Sequence, residues 1–308
     1  MHPIRFGPVC LGMPDTVNPV DFAVKVEQWG YDSFWVPEIL LSPEMEPLVL
    51  LSAVAARTKT LLLGTGVIAL PLWNAPRLAK GALSVEAISN GRLALGVGLG
   101  FSPQDCEFSQ VDWHQRRTSA DKTLKEVRRL TNTMQSPELS NDGWPNRSML
   151  ERSSTQKRSI PIWVAAQWNN GYAQGPLKRA ALYGDCFFPS QPRVEDYVAA
   201  QRKIREYMLT YGRDPEEIQW ACMSVFCLGE NRDAAKKMFA AHPFAPHLHA
   251  NQAALGRPED LVEYIERFVE LGVSHFVFLP SCDPNDTMEQ FHTIAQTVLP
   301  HFRNRTPG

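Results

Sequence analysis

Two carboxylates stand where chemistry could be done. Glu38 closes the run Phe34-Trp35-Val36-Pro37-Glu38, and Glu107 follows the glycine-rich run Gly96-Val97-Gly98-Leu99-Gly100. A carboxylate just past the carboxyl end of a buried strand can reach substrate as a general acid or base. A rim carboxylate paired with arginine or with a helix start is the other reading of both residues. The glycines of the 96–100 run would let backbone approach a planar ring closely, although the same spacing is common in tight turns. Gly64 and Gly66 interrupt an otherwise Val/Ile/Leu-rich strand, which marks a bulge or a close approach by another backbone or a ligand. Asn169-Asn170-Gly171, leading into Gly175-Pro176-Leu177-Lys178-Arg179, could gather backbone N–H groups around a phosphate-like tail at a helix start. Lys178 and Arg179, taken singly, read as a solvated helix face. His242, His247 and His249 form the one histidine cluster. With no cysteine or set of carboxylates beside them they do not read as a metal site, but as lid or solvent-facing side chains. There is no GxSxG elbow, HExxH or P-loop, and no lysine at any expected strand end. A cofactor would therefore have to supply the difficult chemistry.

The elements that must position these residues alternate between short β-branched runs and helical stretches. Expected strands are Ile4–Cys10, Asp32–Val36, Thr60–Leu70, Arg92–Val97, Ile160–Ala166, Asp185–Pro189, Ile218–Leu228 and His275–Leu279. Eight strands alternating with helices point to a parallel (βα)8 barrel, whose catalytic groups come from the carboxyl ends of the strands. A doubly wound open sheet shares that alternation. Met288, Phe291, Ile294, Ala295, Val298 and Leu299 share one face of the last helix, and Leu261, Tyr264, Ile265, Phe268 and Leu271 share one in the helix before it. Asn18 before Pro19, and Pro258 after Arg257, mark helix starts. Residues Gln135–Ser159 and His242–Leu255 break the rhythm and read as loop insertions at the rim, the second as a lid over the ligand. Trp35, Trp73, Trp163 and Trp168 read as core or pocket wall.

Composition narrows the class. The chain has 308 residues, 44% hydrophobic and 21% charged, with a net charge of −2, which is ordinary for one globular domain spanning 1–308 and gives no basic surface for nucleic acid. Six scattered cysteines with no CxxC pair fit a reducing cytoplasm and supply neither a zinc site nor a disulfide framework. The Met1–Phe6 start carries no apolar leader and no run reaches membrane-spanning length, so neither secretion nor insertion is expected.

Several segments carry a family resemblance. Tyr31-Asp32-Ser33-Phe34-Trp35-Val36-Pro37-Glu38, then Arg57-Thr58, Leu63-Gly64-Thr65-Gly66-Val67 and Gly91-Arg92-Leu93-Ala94-Leu95-Gly96-Val97-Gly98 resemble the luciferase-like monooxygenase superfamily. Arg116 with Asp121, Pro161-Ile162-Trp163-Val164, Gly184-Asp185 and Gly272-Val273-Ser274-His275-Phe276-Val277-Phe278 continue the match in the family's order. The resemblance implies a bacterial-luciferase-like TIM barrel that binds FMN or coenzyme F-420 at the strand ends and acts on a small organic substrate. It would work either as a reduced-FMN monooxygenase or by F-420-dependent hydride transfer. Cofactor contacts are implied for Gly64, Gly66, Val67, Gly98, Asn169, Gly171, Gly175 and Pro176, and proton handling for Glu38 and Glu107. Relatives are often dimers, so a homodimer is implied too. Many relatives carry an Asp-His pair where this chain has Glu38-Ile39, and Ala165-Ala166 stands where two glycines are common. In the deazaflavin branch a non-prolyl cis bond occupies the step matching Gly66–Val67, so a cis bond is expected there. The alternative from another class is a non-catalytic flavin-binding relative, against which the two carboxylates argue.

Overall fold

Short apolar runs flanked by amphipathic helices satisfy their backbone most economically by pairing in parallel and covering the outer face with the helices. The computed structural model of the chain describes residues 3–100, 102–132, 159–167, 171–242 and 245–303. Its strands are β1 (Arg5–Pro8), β2 (Ser33–Val36), β3 (Leu62–Thr65), β4 (Ile68–Ala69), β5 (Leu93–Gly98), β6 (Ile162–Gln167), β7 (Cys186–Ser190), β8 (Gln219–Leu228), β9 (Ala254–Gly256) and β10 (His275–Pro280). Between and around them run α1 (Pro19–Gln28), α2 (Pro47–Arg57), α3 (Ala75–Ser89), α4 (Pro103–Phe108), α5 (Arg116–Asn132), α6 (Gln174–Tyr183), α7 (Val194–Thr210), α8 (Arg232–Ala241), α9 (Pro258–Val269), α10 (Thr287–Thr297) and α11 (Leu299–Arg303).

The strands pair in the order β1-β10-β8-β7-β6-β5-β3-β2, every ladder parallel. The ring closes between β2 and β1 through a Val9–Trp35 bridge, with Cys10 N–H on Trp35 O and Asp32 N–H on Phe6 O, both at 2.8 Å. The eight-stranded barrel read from the alternation is therefore the fold. The expected strand Thr60–Leu70 is in fact two: it breaks at Gly66–Val67, where the peptide bond is cis, as the resemblance implied. The second half, β4, pairs with the far end of β5. The expected lid 242–255 holds two 3-10 turns and leads into β9, which adds onto the end of β8. Residues 135–158 of the other insertion lie outside the described residues.

Helix starts are built as their residues suggest. The Asn18 side chain accepts from Val20 N–H and Asp21 N–H at 2.8 and 3.3 Å, and Asp260 accepts from Arg257 N–H at 2.8 Å. Arg92 of the family-like motif is scaffold: its guanidinium donates to the carbonyls of Leu61, Ala55 and Thr58 at 2.8, 3.0 and 2.9 Å, holding the end of α2 against β3.

Two apolar layers result. One lies between strands and helices and is dominated by Phe6, Phe22, Phe34, Phe276, Phe278 and Phe291. The other fills the barrel itself with Val9, Trp35, Ala94, Trp163, Phe188, Ala221 and Val277. Trp35 lies 4.7 Å from Trp163 and 4.9 Å from Phe188, ring centre to ring centre. Below them His275 shares a 2.7 Å hydrogen bond with the Ser33 hydroxyl, which also accepts from the Trp35 indole at 2.8 Å. Complete burial, with the Arg5 charge nearby, lowers the His275 pKa to about 3, so the ring is neutral. Both Trp35 and Trp163 are thus barrel core.

Candidate active site

Among the described residues the barrel interior is filled by side chains, so a ligand is sought at its carboxyl-end mouth, where the catalytic groups of this fold lie. The mouth's floor is made by Leu11, Val67, Met223 and Leu279, partly buried side chains packed on the Trp35–Trp163–Phe188 layer. The cis step aims Val67 across this floor: a Cβ at Gly98 would come within 2.8 Å of Val67 Cγ2 and 3.7 Å of the Ala165 methyl. Gly66 borders Met223 at ordinary contact distance. Gly64 does not reach the floor. The group that occupies the space beside it is the chain's own Trp35, whose ring a Cβ would meet at 2.2 Å. At Gly96 a Cβ would meet Thr65 O, so this glycine lets β3 and β5 press together.

Glu38 sits at the rim, where β2 ends. Its Oε2 accepts from Ala69 N–H at 2.6 Å and its Oε1 from the Trp73 indole at 2.7 Å. Burial pushes its pKa up to about 7 against those two bonds, with the carboxylates of Glu46 and Asp105 adding to the rise. A carboxyl poised near neutrality can give or take a proton. Glu107 lies on α4 and is exposed, whereas its neighbours Asp105 and Cys106 are buried. The structure therefore brings Glu38 and Val67 to one side of the mouth, joined through Ala69, and places Glu107 on a solvent-facing helix.

On the opposite side, Gly171 has φ +107° with open space around its Cα, and α6 begins at Gln174 with no side-chain cap. Gly175 and Pro176 form its first turn, so the N–H groups of this end stay available to an anion. Asn169, with Trp168 and Asn170, lies outside the described residues. Arg179 is not a solvated side chain: it is buried and pairs with Asp121 of α5 at 2.5 Å. Lys178 lies over the Tyr207 ring at 5.5 Å. His249 is held by its backbone, its N–H and carbonyl bonding the Gln191 amide at 3.3 and 3.4 Å. Burial lowers the pKa of His242, and the His247 side chain lies outside the described residues. Among the described residues no group of three or more His, Cys, Asp or Glu is placed to hold a metal ion, and no helix is long and apolar enough to cross a membrane.

Sequence reasoning missed Trp73 as the partner of Glu38. It also missed Gln191, just past the end of β7. Gln191 adopts a left-handed φ of +47°, rare for a residue other than glycine, and no local pattern announces it.

Comparison with known proteins decides the family. The family model for luciferase-like monooxygenases matches residues 11–254. The chain belongs to the luciferase-like monooxygenase family. Family membership makes it a flavin-type oxidoreductase, served by FMN or by coenzyme F-420. It is 25% identical to an F-420-dependent glucose-6-phosphate dehydrogenase of Amycolatopsis mediterranei, over 92% of this chain and 94% of that protein. It is also 25% identical to a 4-hydroxyprotoasukamycin monooxygenase of Streptomyces nodosus, over 70% of this chain and 60% of that one. In structure it resembles the monooxygenase RslO1 of Streptomyces bottropensis, with a TM-score of 0.76 at 19% identity over 97% of this chain and all of that one. These relatives carry the names of enzymes, and the non-catalytic alternative finds no support among them.

Proposed function

We propose that this luciferase-like oxidoreductase uses coenzyme F-420 and interconverts a hydroxyl and a carbonyl on a small organic substrate. The observation that carries the reading is Glu38: a carboxyl at the barrel mouth, pushed up to about 7 and held rigidly by two hydrogen bonds, suited to the proton that such a reaction moves. The near full-length match to the F-420-dependent glucose-6-phosphate dehydrogenase supports the cofactor, since the monooxygenase match covers only 60% of that protein.

The residues present fit such a group. Leu11, Val67, Met223 and Leu279 offer an apolar floor for a planar ring, and Gly98 leaves room for Val67 to seat in it; Gly66, one residue before Val67, is a cofactor contact in this reading. Gly171, Gly175, Pro176 and the uncapped start of α6 suit a phosphate-bearing tail. When bound, the deazaflavin supplies two-electron hydride chemistry. The chain's own part is to bind, to exclude water and to move the proton: Glu38 takes it from a substrate hydroxyl or returns it to a carbonyl. Glu107, exposed on α4 after β5, is in this reading a second proton-handling group. We place the protein in the cytoplasm, in keeping with six cysteines that are all free and buried, and as a homodimer, for which the exposed Val49 of α2 and Ile88 of α3 offer apolar surface.

Titration of the protein with F-420 and with FMN, each oxidised and reduced, tests this. F-420 should quench the protein's fluorescence at micromolar concentration. Binding of FMN alone would replace the hydride reading with the monooxygenase one, and binding of neither would end both.

A further inference from the structure

Glu38 takes both of its hydrogen bonds from one short stretch of chain. β4 ends at Ala69, whose N–H reaches Oε2 at 2.6 Å. A 3-10 turn over Leu70–Leu72 follows, closed by Trp73 N–H on Leu70 O at 3.2 Å, and the Trp73 indole then donates to Oε1 at 2.7 Å. Past Trp73 the chain enters α3 through the Asn74 cap, which accepts from Arg77 N–H at 3.3 Å. Regular structure thus fixes the indole from both sides. Its body packs against the core between strands and helices while its N–H meets the carboxyl.

Two donors on one carboxyl hold it in a single orientation. Both favour the carboxylate, because an N–H bonds a negative oxygen more strongly than a neutral one. Burial opposes ionisation and is the largest effect; the charges that bear on Glu38 from neighbouring elements, Glu46 at the start of α2 and Asp105 of α4, are both negative and oppose it too. Of the two bonds that support the anion, Ala69 gives a backbone N–H that any residue but proline would give. The indole's bond comes from a side chain, and a substitution can remove it.

We propose that Trp73 is a positioning residue for proton transfer: its indole N–H orients the Glu38 carboxyl at the mouth and supports the anion that accepts a substrate proton. The inference rests on Glu38 being the proton-handling group of the proposed oxidoreductase. A carboxylate has about four acceptor positions, of which the two N–H groups use two. Phenylalanine in place of Trp73 keeps an aromatic body on the core but offers no N–H. Without that donor the anion loses more than the acid does, so Glu38 ionises at higher pH and less of it is ready to take a proton near neutrality.

The test uses the full chain and the variants Trp73→Phe, Glu38→Gln and the two combined, in urea unfolding between pH 6 and pH 9. Packing lost with the indole weakens the fold equally at every pH, whereas the bond to the anion counts only once Glu38 ionises. The unfolding constant of Trp73→Phe relative to wild type should therefore rise about tenfold from pH 6 to pH 9, the advantage of one such bond to a charged oxygen over a neutral one. When Glu38→Gln is present, removing the indole should have the same effect at both pH values. A second readout leaves Trp73 in place. In nitrogen-labelled wild-type protein the Trp73 indole N–H resonance should shift with a midpoint near pH 7, and it should hold still in Glu38→Gln. An effect of Trp73→Phe that is equal at pH 6 and pH 9, a rise that persists with Glu38→Gln, or an indole resonance that does not titrate in the wild type overturns the proposal. Both readouts use cofactor-free protein and need no turnover. Absence of the coupling in a protein that binds F-420 therefore sinks this inference alone, whereas failure to bind F-420 sinks the redox reading.

Discussion

Replacing Glu38 by glutamine should remove a pH dependence of stability that the wild type carries. The carboxylate is stapled between Ala69 N–H and the Trp73 indole, and both bonds favour the anion, yet burial outweighs them and raises the pKa from 4.5 to about 7. A rise of that size corresponds to about 3 kcal/mol, at 1.36 kcal/mol per pH unit. The unfolded chain releases this proton near pH 4.5, while the folded protein keeps it up to about pH 7. Across that window the folded state binds more protons, so stability falls as pH rises, and the loss is complete above about 7. An amide does not ionise, and like the protonated acid it offers one good acceptor oxygen to the two donors. The variant should therefore be close to wild type in stability near pH 5 and gain about 2–3 kcal/mol on it by pH 8, measured by urea unfolding of the cofactor-free protein at fixed pH values. Wild-type and Glu38→Gln stabilities that run parallel from pH 5 to pH 8 would refute the argument, because they would mean that Glu38 ionises in the folded protein as it does in the unfolded chain. Where the substrate proton passes through Glu38, the same variant lowers turnover by roughly 10²–10⁴-fold with little change in cofactor affinity.

Gly64→Ala puts a methyl 2.2 Å from the Trp35 ring, so it should cost about 1–3 kcal/mol in urea unfolding and alter tryptophan emission; an unchanged midpoint would show that the ring can move aside. His275, neutral down to about pH 3, should show no imidazole titration by NMR between pH 5 and 8, and a midpoint near 6.5 would mean that water reaches the barrel interior. Glu107→Gln, on the exposed face of α4, should leave stability within about 0.5 kcal/mol while depressing turnover, and normal turnover would leave the residue on the surface with no proton to handle.

How much of this could be read beforehand depended on whether the signal was local. Barrel strands are periodic, and the alternation that buries Trp35, Trp163 and Val277 on one face and Phe34, Phe276 and Phe278 on the other is visible along the chain. The break after Thr65 was legible as glycine and, through the resemblance, as a cis step, whereas β9 was not legible at all, because three residues inside a Pro- and His-rich segment carry too little pattern. Glu38 was legible as a carboxylate at a strand end. Its partner Trp73 was not, since the contact spans 35 residues and depends on how the chain turns after Gly66–Val67.

Gly64 shows the limit most plainly. A glycine within a strand says that something approaches closely, and the resemblance suggested a cofactor; in the barrel the approaching group is Trp35, from the next strand. The same holds for Arg92 and for the Arg179–Asp121 pair, positions within or beside the family-like segments, which here hold helices and loops together. Gln252 is the converse case. An amide has no spacing signature, and its burial without a hydrogen-bond partner exists only in the folded chain, where β9 has added to β8. Local pattern thus specifies the scaffold. Contacts between distant segments, such as Glu38 with Trp73 and Gly64 with Trp35, are set by closure of the barrel.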